Sequence, residues 1–228
     1  MSSSLKDPVQ PPPHEPPRGL NGRRAQAARN DHSILAAART VFLQSPQAPV
    51  AAVAKEAGVG ISALYRRYPG KEQLLQKLCA DGLRTFISIA EQYSDGQPDP
   101  FTALKDFVRG IVDADVHALT VKLAGTFTPT PELGELSVRA DLLMKSIFQR
   151  AFDGGMLRAD ADANDVPMIF EQLTAIRLLD EARTVALRHR YLDLIMDGMR
   201  SNPTFGTLSA PAPSGMELGE RWAVPQSA

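Results

Sequence analysis

The sequence predicts an all-α chain: an N-terminal three-helix domain followed by a larger helical domain. Three observations carry that reading. Apolar residues recur three and four positions apart over most of the chain, the period of a helix with one buried face. No segment sustains the alternation of a half-buried strand. Ser45-Pro46, Gly58-Val59-Gly60, Pro69-Gly70 and Gly154-Gly155 punctuate the periodic segments where turns are needed.

Residues 1–22 hold six prolines, which block helix and remove backbone donors, so residues 1–28 are expected to form a disordered arm. The first helix carries Ile34, Leu35, Ala38, Val41 and Phe42, with Asn30 or Asp31 expected to cap it. A short second helix carries Val50, Val53, Ala54 and Ala57, and a glycine turn follows at 58–60. The third helix has Ile61, Leu64, Tyr65 and Tyr68 as its apolar stripe, and a fourth begins near Lys71. Further helices are marked by Phe101 to Val112 and by Leu133 to Ala151, the latter stopped by Gly154-Gly155. The last two span about 164–181, with Asn164 as cap, and 183–200. Residues 201–228 are again rich in proline and small residues and read as a free tail, with Trp222 the one side chain suited to anchor it. The domains expected are therefore 29–80 and 81–200, between two tails.

Length and composition bound the function. A chain of 228 residues has room for one domain or two small ones. Hydrophobic residues at 43% and charged residues at 22% exclude wholesale disorder. No run approaches the ~18 apolar residues of a membrane span. The proline-rich N-terminus lacks the apolar stretch of a secretory signal, so a cytoplasmic protein is expected. One cysteine, Cys79, excludes an internal disulfide framework and a cysteine-based zinc site.

Net charge is −1, but the charges are segregated. Residues 18–84 carry eleven bases against four acids, and residues 85–228 carry thirteen bases against twenty acids. A basic N-terminal third points to a polyanion partner for that part alone.

The short helix, glycine turn and third helix over residues 50–68 have the spacing of a helix-turn-helix, whose second helix enters the DNA major groove. Ser62, Ala63, Arg66 and Arg67 are predicted to face away from Leu64 and Tyr68. Small residues permit close approach, Arg can pair with guanine and Ser can bond base edges. Tyr65 is expected to put its ring in the core and its hydroxyl on a phosphate, and Tyr68 at the helix end is a further candidate DNA contact. Lys71 and the N-terminus of the fourth helix are expected to grip another phosphate. Arg18, Arg23 and Arg24 could act as a minor-groove arm.

Residues 29–78 resemble the DNA-binding domain of the TetR family of transcriptional repressors. The matching pieces are Ile34-Leu35-Ala36-Ala37-Ala38 with Val41-Phe42, Val53 to Val59, Leu64-Tyr65-Arg66-Arg67-Tyr68, and Lys71 to Leu75. Gly155 to Asp160, Asp165-Val166 and Arg190 to Leu194 are similar to the SbtR-like branch of that family. Three departures stand out: Pro49-Val50-Ala51 where the family often has Thr or Ser, Gly60 for a frequent Ser, and Tyr68 where Phe is common. The resemblance implies a homodimer, with the last two helices forming a four-helix bundle with their mates. It also implies a palindromic operator and a small-molecule effector in the second domain. His117, Phe127, Met144, Phe148, Met168 and Phe170 are the candidate effector-binding residues.

Other classes fit less well. No metal and no cofactor is expected, because His14, His32, His117 and His189 lack metal-ligand spacing. Asp160, Asp162, Asn164 and Glu171 fall at calcium-loop offsets, but Asp165 stands where the turn glycine is needed. A catalytic cluster is missing, so an enzyme is not expected. A helical protein-interaction adaptor is the alternative, and it leaves the basic third unexplained. Operator, effector and regulated genes are not legible.

Overall fold

The computed structural model describes residues 18–95 and 98–220, with side chains from Arg29 onward. Ten helices follow in chain order: α1 Arg18–Gln44, α2 Val50–Glu56, α3 Ile61–Arg67, α4 Lys71–Ser94 and α5 Pro100–Ala114. Then come α6 Val116–Leu123, α7 Pro131–Asp153, α8 Asp165–Ala175, α9 Glu181–Met199 and α10 Gly215–Glu220. Among the described residues there is no strand, only an isolated bridge between Leu157 and Arg200.

Local chemistry sets several boundaries. The side chain of Asp99 caps the amide of Phe101 and Pro100 opens α5; Thr130 caps Leu133 and Pro131 opens α7 in the same way. Asp180 caps Arg183 at the start of α9. Gly58 and Gly155 take φ of 65° and 67°, the left-handed backbone that ends α2 and α7.

Four expectations are corrected. The arm expected over residues 1–28 is helical from Arg18, immediately after the last proline of the run. Ala, Arg and Gln over residues 18–28 are good helix formers, so α1 reaches back to Arg18. Asp31 therefore lies inside α1 and caps nothing. Asn164 also makes no side-chain cap; instead Asp165 accepts from the amide of Asp162 at 2.9 Å. Finally, α8 stops at Ala175, not near residue 181. There Arg188 donates to the carbonyls of Thr174 (3.2 Å) and Ile176 (3.1 Å), and the Thr184 hydroxyl accepts from the amide of Leu178 (2.9 Å). These side chains replace the bonds of the next helical turn. A helix absent from the sequence reading, α6, follows α5 across a sharp corner at Asp115, whose φ is 54°.

The tail differs too. Residues 201–220 fold back on the second domain. The amide of Ser201 bonds Met156 and that of Arg158 bonds Met199, while the Arg200 guanidinium lies 3.8 Å from the Phe101 ring centroid. Trp222 lies outside the described residues.

Two apolar cores divide the molecule along α4. The first gathers Ile34, Phe42, Val53, Leu64 and Leu75 of α1–α4, but it also takes in Leu119, Leu123, Phe127 and Leu133. The second gathers Phe86, Phe107, Ile111, Ile147 and Phe170 with Leu192 and Met196. Leu83 packs against both. At the α4–α5 crossing a Cβ on Gly110 would stand 3.0 Å from the Ile89 side chain, so glycine is what permits that close packing.

Candidate nucleic-acid interface and interior cavity

The outward face of α3 is built by what holds its inward face. Leu64 is fully buried and Tyr68, just past the helix end, is nearly so. At about 100° per residue, Ser62 and Arg66 then point to the opposite side. Ala63 is half-buried beside them. The apolar stripe expected from the sequence is broken, because Ile61 is 40% exposed and Tyr65 48% exposed. A helix of seven residues anchored mainly through Leu64 has too narrow a buried face for all four. Tyr65 thus belongs to the outer surface, and Ile61 joins it, a residue the sequence reading assigned to the core.

Three other expected contact residues have partners within the chain. Arg67 forms a two-pronged pair with Asp31 of α1, at 2.8 and 3.0 Å, and the Tyr68 hydroxyl donates to the same carboxylate at 2.7 Å. The guanidinium holds the Asp31 carboxyl below the usual carboxylate range, and burial pushes the Tyr68 phenol upward. Arg67 keeps much of its surface in solvent, but its role here is to brace α3 against α1. The Lys71 ammonium donates to the carbonyl of Pro46 at 2.8 Å and lies 5.3 Å from the centre of the Phe42 ring. Burial pulls its pKa down. Lys71 thus fastens the α1–α2 loop to the start of α4.

The same holds for other bases of this region. Lys77 and Arg84 share Asp81, at 2.6 and 2.9 Å. Arg39 donates to the carbonyl of Ala114 at 2.8 Å, across the domain boundary. Among the described residues, Lys55 on α2 and Arg66 on α3 are the exposed bases of residues 50–71 that make no polar contact within the chain. Lys55 was not among the expected contacts. The arginines at 18, 23 and 24 have side chains outside the described residues.

Arg39 leads to a second cluster. Asp115, at the α5–α6 corner, gathers three guanidinium groups: Arg39 of α1 at 3.7 Å, Arg177 at 2.8 Å and Arg188 of α9 at 3.4 Å. Arg188 is only 3% exposed. One carboxylate therefore ties the first domain, the α8–α9 connection and α9 together.

Next to this corner lies a cavity of about 400 Å³ between α4, α6, α7 and α8. Phe86, Val116, Met144 and Phe170 give it apolar walls, and Asp141, Lys145 and Asn164 add polar groups. Of the six candidate effector residues, His117, Met144 and Phe170 line it, with the His117 ring 5.1 Å from that of Phe170. The other three do not. Phe127 belongs to the first core, Phe148 stacks on Phe152 in the second, and Met168 is absent from the wall. Missed by the sequence reading were Leu83 and Phe86, farther along α4 than its start near Lys71, and Leu218 of the tail.

Asp113 pairs with His189 at 2.7 Å. Cys79 is buried, and burial pushes its thiol up to about 12. Among the described residues no group of three or more His, Cys, Asp or Glu side chains could hold a metal ion. Nor is any helix among them long and apolar enough to cross a membrane.

Residues 34–78 match the family model of the bacterial regulatory proteins of the tetR family. Those residues therefore carry a tetR-type domain. No curated protein gives a significant match. Solved structures agree in fold. A TetR transcription regulatory protein from Mycobacterium vanbaalenii is 23% identical, with a TM-score of 0.53 over 78% of this chain and 99% of that one. CprB from Streptomyces coelicolor A3(2) is 20% identical, with a TM-score of 0.59 over 78% and 92%. LfrR from Mycobacterium smegmatis, solved in complex with proflavine, is 22% identical, with a TM-score of 0.51 over 73% and 95%. Within the matched stretch, α2 and α3 are the two helices of the helix-turn-helix of a tetR-type regulatory domain.

Proposed function

We propose that this chain is a homodimeric repressor of the TetR type that binds a palindromic operator and is released from it by a small, largely apolar effector. It works in the cytoplasm and catalyses no reaction. The observation that carries the DNA reading is the outward face of α3, where Ser62, Tyr65 and Arg66 are exposed over a helix pinned from behind by Leu64 and Tyr68. Arg66 supplies a fork for guanine, and Ser62 and Ala63 leave room for close approach. Lys55 adds a phosphate contact. Arg67, Tyr68 and Lys71 serve this surface by fixing the position of α3.

Dimerisation through α8 and α9 is supported by the apolar side chains left in solvent there. Leu178 and Leu179 after α8, and Tyr191 and Leu194 on α9, are all exposed. Leu187, Tyr191, Leu194 and Gly198 fall four, three and four residues apart, the spacing of one seam of a helix bundle. A second copy covering these helices would set two α3 faces at a fixed separation, about one turn of DNA (~34–36 Å) or a multiple of it.

The effector would sit in the cavity between α4 and α8, as proflavine accompanies LfrR. Two routes lead from there to the DNA-binding domain. Leu119 and Leu123 of α6 belong to the core of that domain, and Asp115 at the start of α6 holds Arg39 of α1. A ligand that shifts α6 changes both at once. It needs a preference of only ~1–3 kcal/mol for the shifted state to alter operator affinity usefully.

Capture of sheared genomic DNA by the purified protein, with sequencing, tests the reading. Enrichment of a palindromic site by the wild type, lost in Arg66→Ala, is expected. A folded dimer that enriches nothing at low salt would defeat it and bring forward a helical adaptor.

A further inference from the structure

The interior cavity is not closed by the helical domain alone. Gly215, Leu218 and Gly219 of α10 line it together with Phe86, Met144 and Phe170. Resting on the reading of this cavity as a ligand site, we propose that residues 201–220 are a hinged lid over it, and that Leu218 sets the size of the apolar ligand the site admits.

The segment has the parts such a lid requires. One end is anchored. The Arg158 guanidinium donates to the carbonyl of Gly206 at 2.7 Å and lies 6.0 Å from the centre of the Phe205 ring. Asp160 accepts from the amide of Leu208 at 2.7 Å and pairs with Arg158 at 2.5 Å. A stiff spacer follows, because Pro211 and Pro213 restrict the backbone and set the reach from anchor to cavity. The far end is a short helix closed by a reciprocal cap, in which the Ser214 amide donates to Glu217 at 2.7 Å and the Glu217 amide to the Ser214 hydroxyl at 3.2 Å.

That far end is held weakly. No residue of α10 is buried, and Met216 is 76% exposed. An isolated turn of six residues gains too little from its own hydrogen bonds to stay ordered unaided. Partial cover of Leu218 against the cavity rim is what seats it. The anchor at 205–208 therefore persists while α10 lifts. An apolar molecule in the cavity adds surface for Leu218 and draws the lid shut.

Single cysteines in the full chain test this, since the native Cys79 thiol is buried and mostly protonated at neutral pH. Leu218→Cys and Met216→Cys proteins would be reacted with a thiol-reactive disulfide reagent, with and without saturating 1-anilinonaphthalene-8-sulfonate as the apolar probe. Residue 218 is expected to react about tenfold more slowly than residue 216, and about tenfold more slowly again with the probe bound. Adding Arg158→Ala, which frees the anchor, should restore fast labelling at 218. Equal rates at both positions, or a rate at 218 indifferent to bound probe, would overturn the lid. Met144→Trp, which fills the cavity, separates the two readings. If it abolishes probe binding while labelling at 218 ignores the probe, the ligand site stands and the lid falls. If probe binding survives it, the cavity is not the ligand site and both readings fall.

Discussion

Two arginine-bearing regions use the same side chain in opposite ways. On α3, Arg66 projects into solvent from a helix whose back is locked in place. At the α5–α6 corner, Arg39, Arg177 and Arg188 turn inward onto one carboxylate, Asp115. A charge left without an internal partner remains available to an external polyanion. A charge already paired inside the fold holds parts of the fold together. The basic count of residues 18–84 does not distinguish them: Arg39, Arg67, Lys71, Lys77 and Arg84 all have internal partners. Partner geometry, not net charge, sorts recognition from scaffolding.

The largest effect should come from breaking the inward cluster. Asp115→Ala leaves buried Arg188 without its carboxylate, and removing one member of a buried pair costs ~3–5 kcal/mol. Urea unfolding should show that loss, whereas Arg39→Ala, at the exposed edge of the cluster, should show much less. Loss of similar size in both would mean the cluster is not organised around Arg188. Next is the outward region. Arg66→Ala should weaken binding to a captured DNA fragment by ~1–3 kcal/mol and leave the urea midpoint unchanged. A shift in the midpoint would instead make Arg66 part of the scaffold, like Arg67.

Asp31 sharpens the contrast through pH. Arg67 depresses its carboxyl in the folded chain, so the folded state binds that proton more weakly than the unfolded state. The stabilisation is full above the unfolded value near ~3.9 and fades as pH falls through the lower folded value. Asp31→Asn should therefore cost ~1–2 kcal/mol at neutral pH and flatten the decline in stability below about pH 4. An acid titration with the same slope as wild type would exclude the Asp31–Arg67–Tyr68 brace. Smallest of all, Lys55→Ala should leave stability untouched and reduce the salt slope of DNA binding by about one ion.

What the sequence revealed follows the same division. The turn at Gly58, the burial of Leu64 and the start of α4 are local matters of backbone freedom and period, and they were legible. The internal contacts of Arg67, Tyr68 and Lys71 were not legible because their partners, Asp31 and Pro46, lie 25 to 37 residues away. Periodicity says which way a residue faces but not what it meets. The α6 helix escaped because Val116 to Leu123 is short, opens without a side-chain cap, and starts beyond a left-handed corner. The tail was read as free because proline and small residues suggest no core. Its seating depends on Arg158 and Asp160, 48 residues upstream.

The most direct test of the central claim is a hydroxyl-radical footprint of the full-length protein on a captured genomic fragment. Two protected patches on one face of the duplex, centred about one helical turn (~34–36 Å) or a multiple apart, are expected from a dimer presenting two α3 faces. Both should vanish together in Arg66→Ala. A single patch, or uniform protection along the fragment that Arg66→Ala leaves unchanged, would contradict the paired, outward-facing α3 on which the account rests.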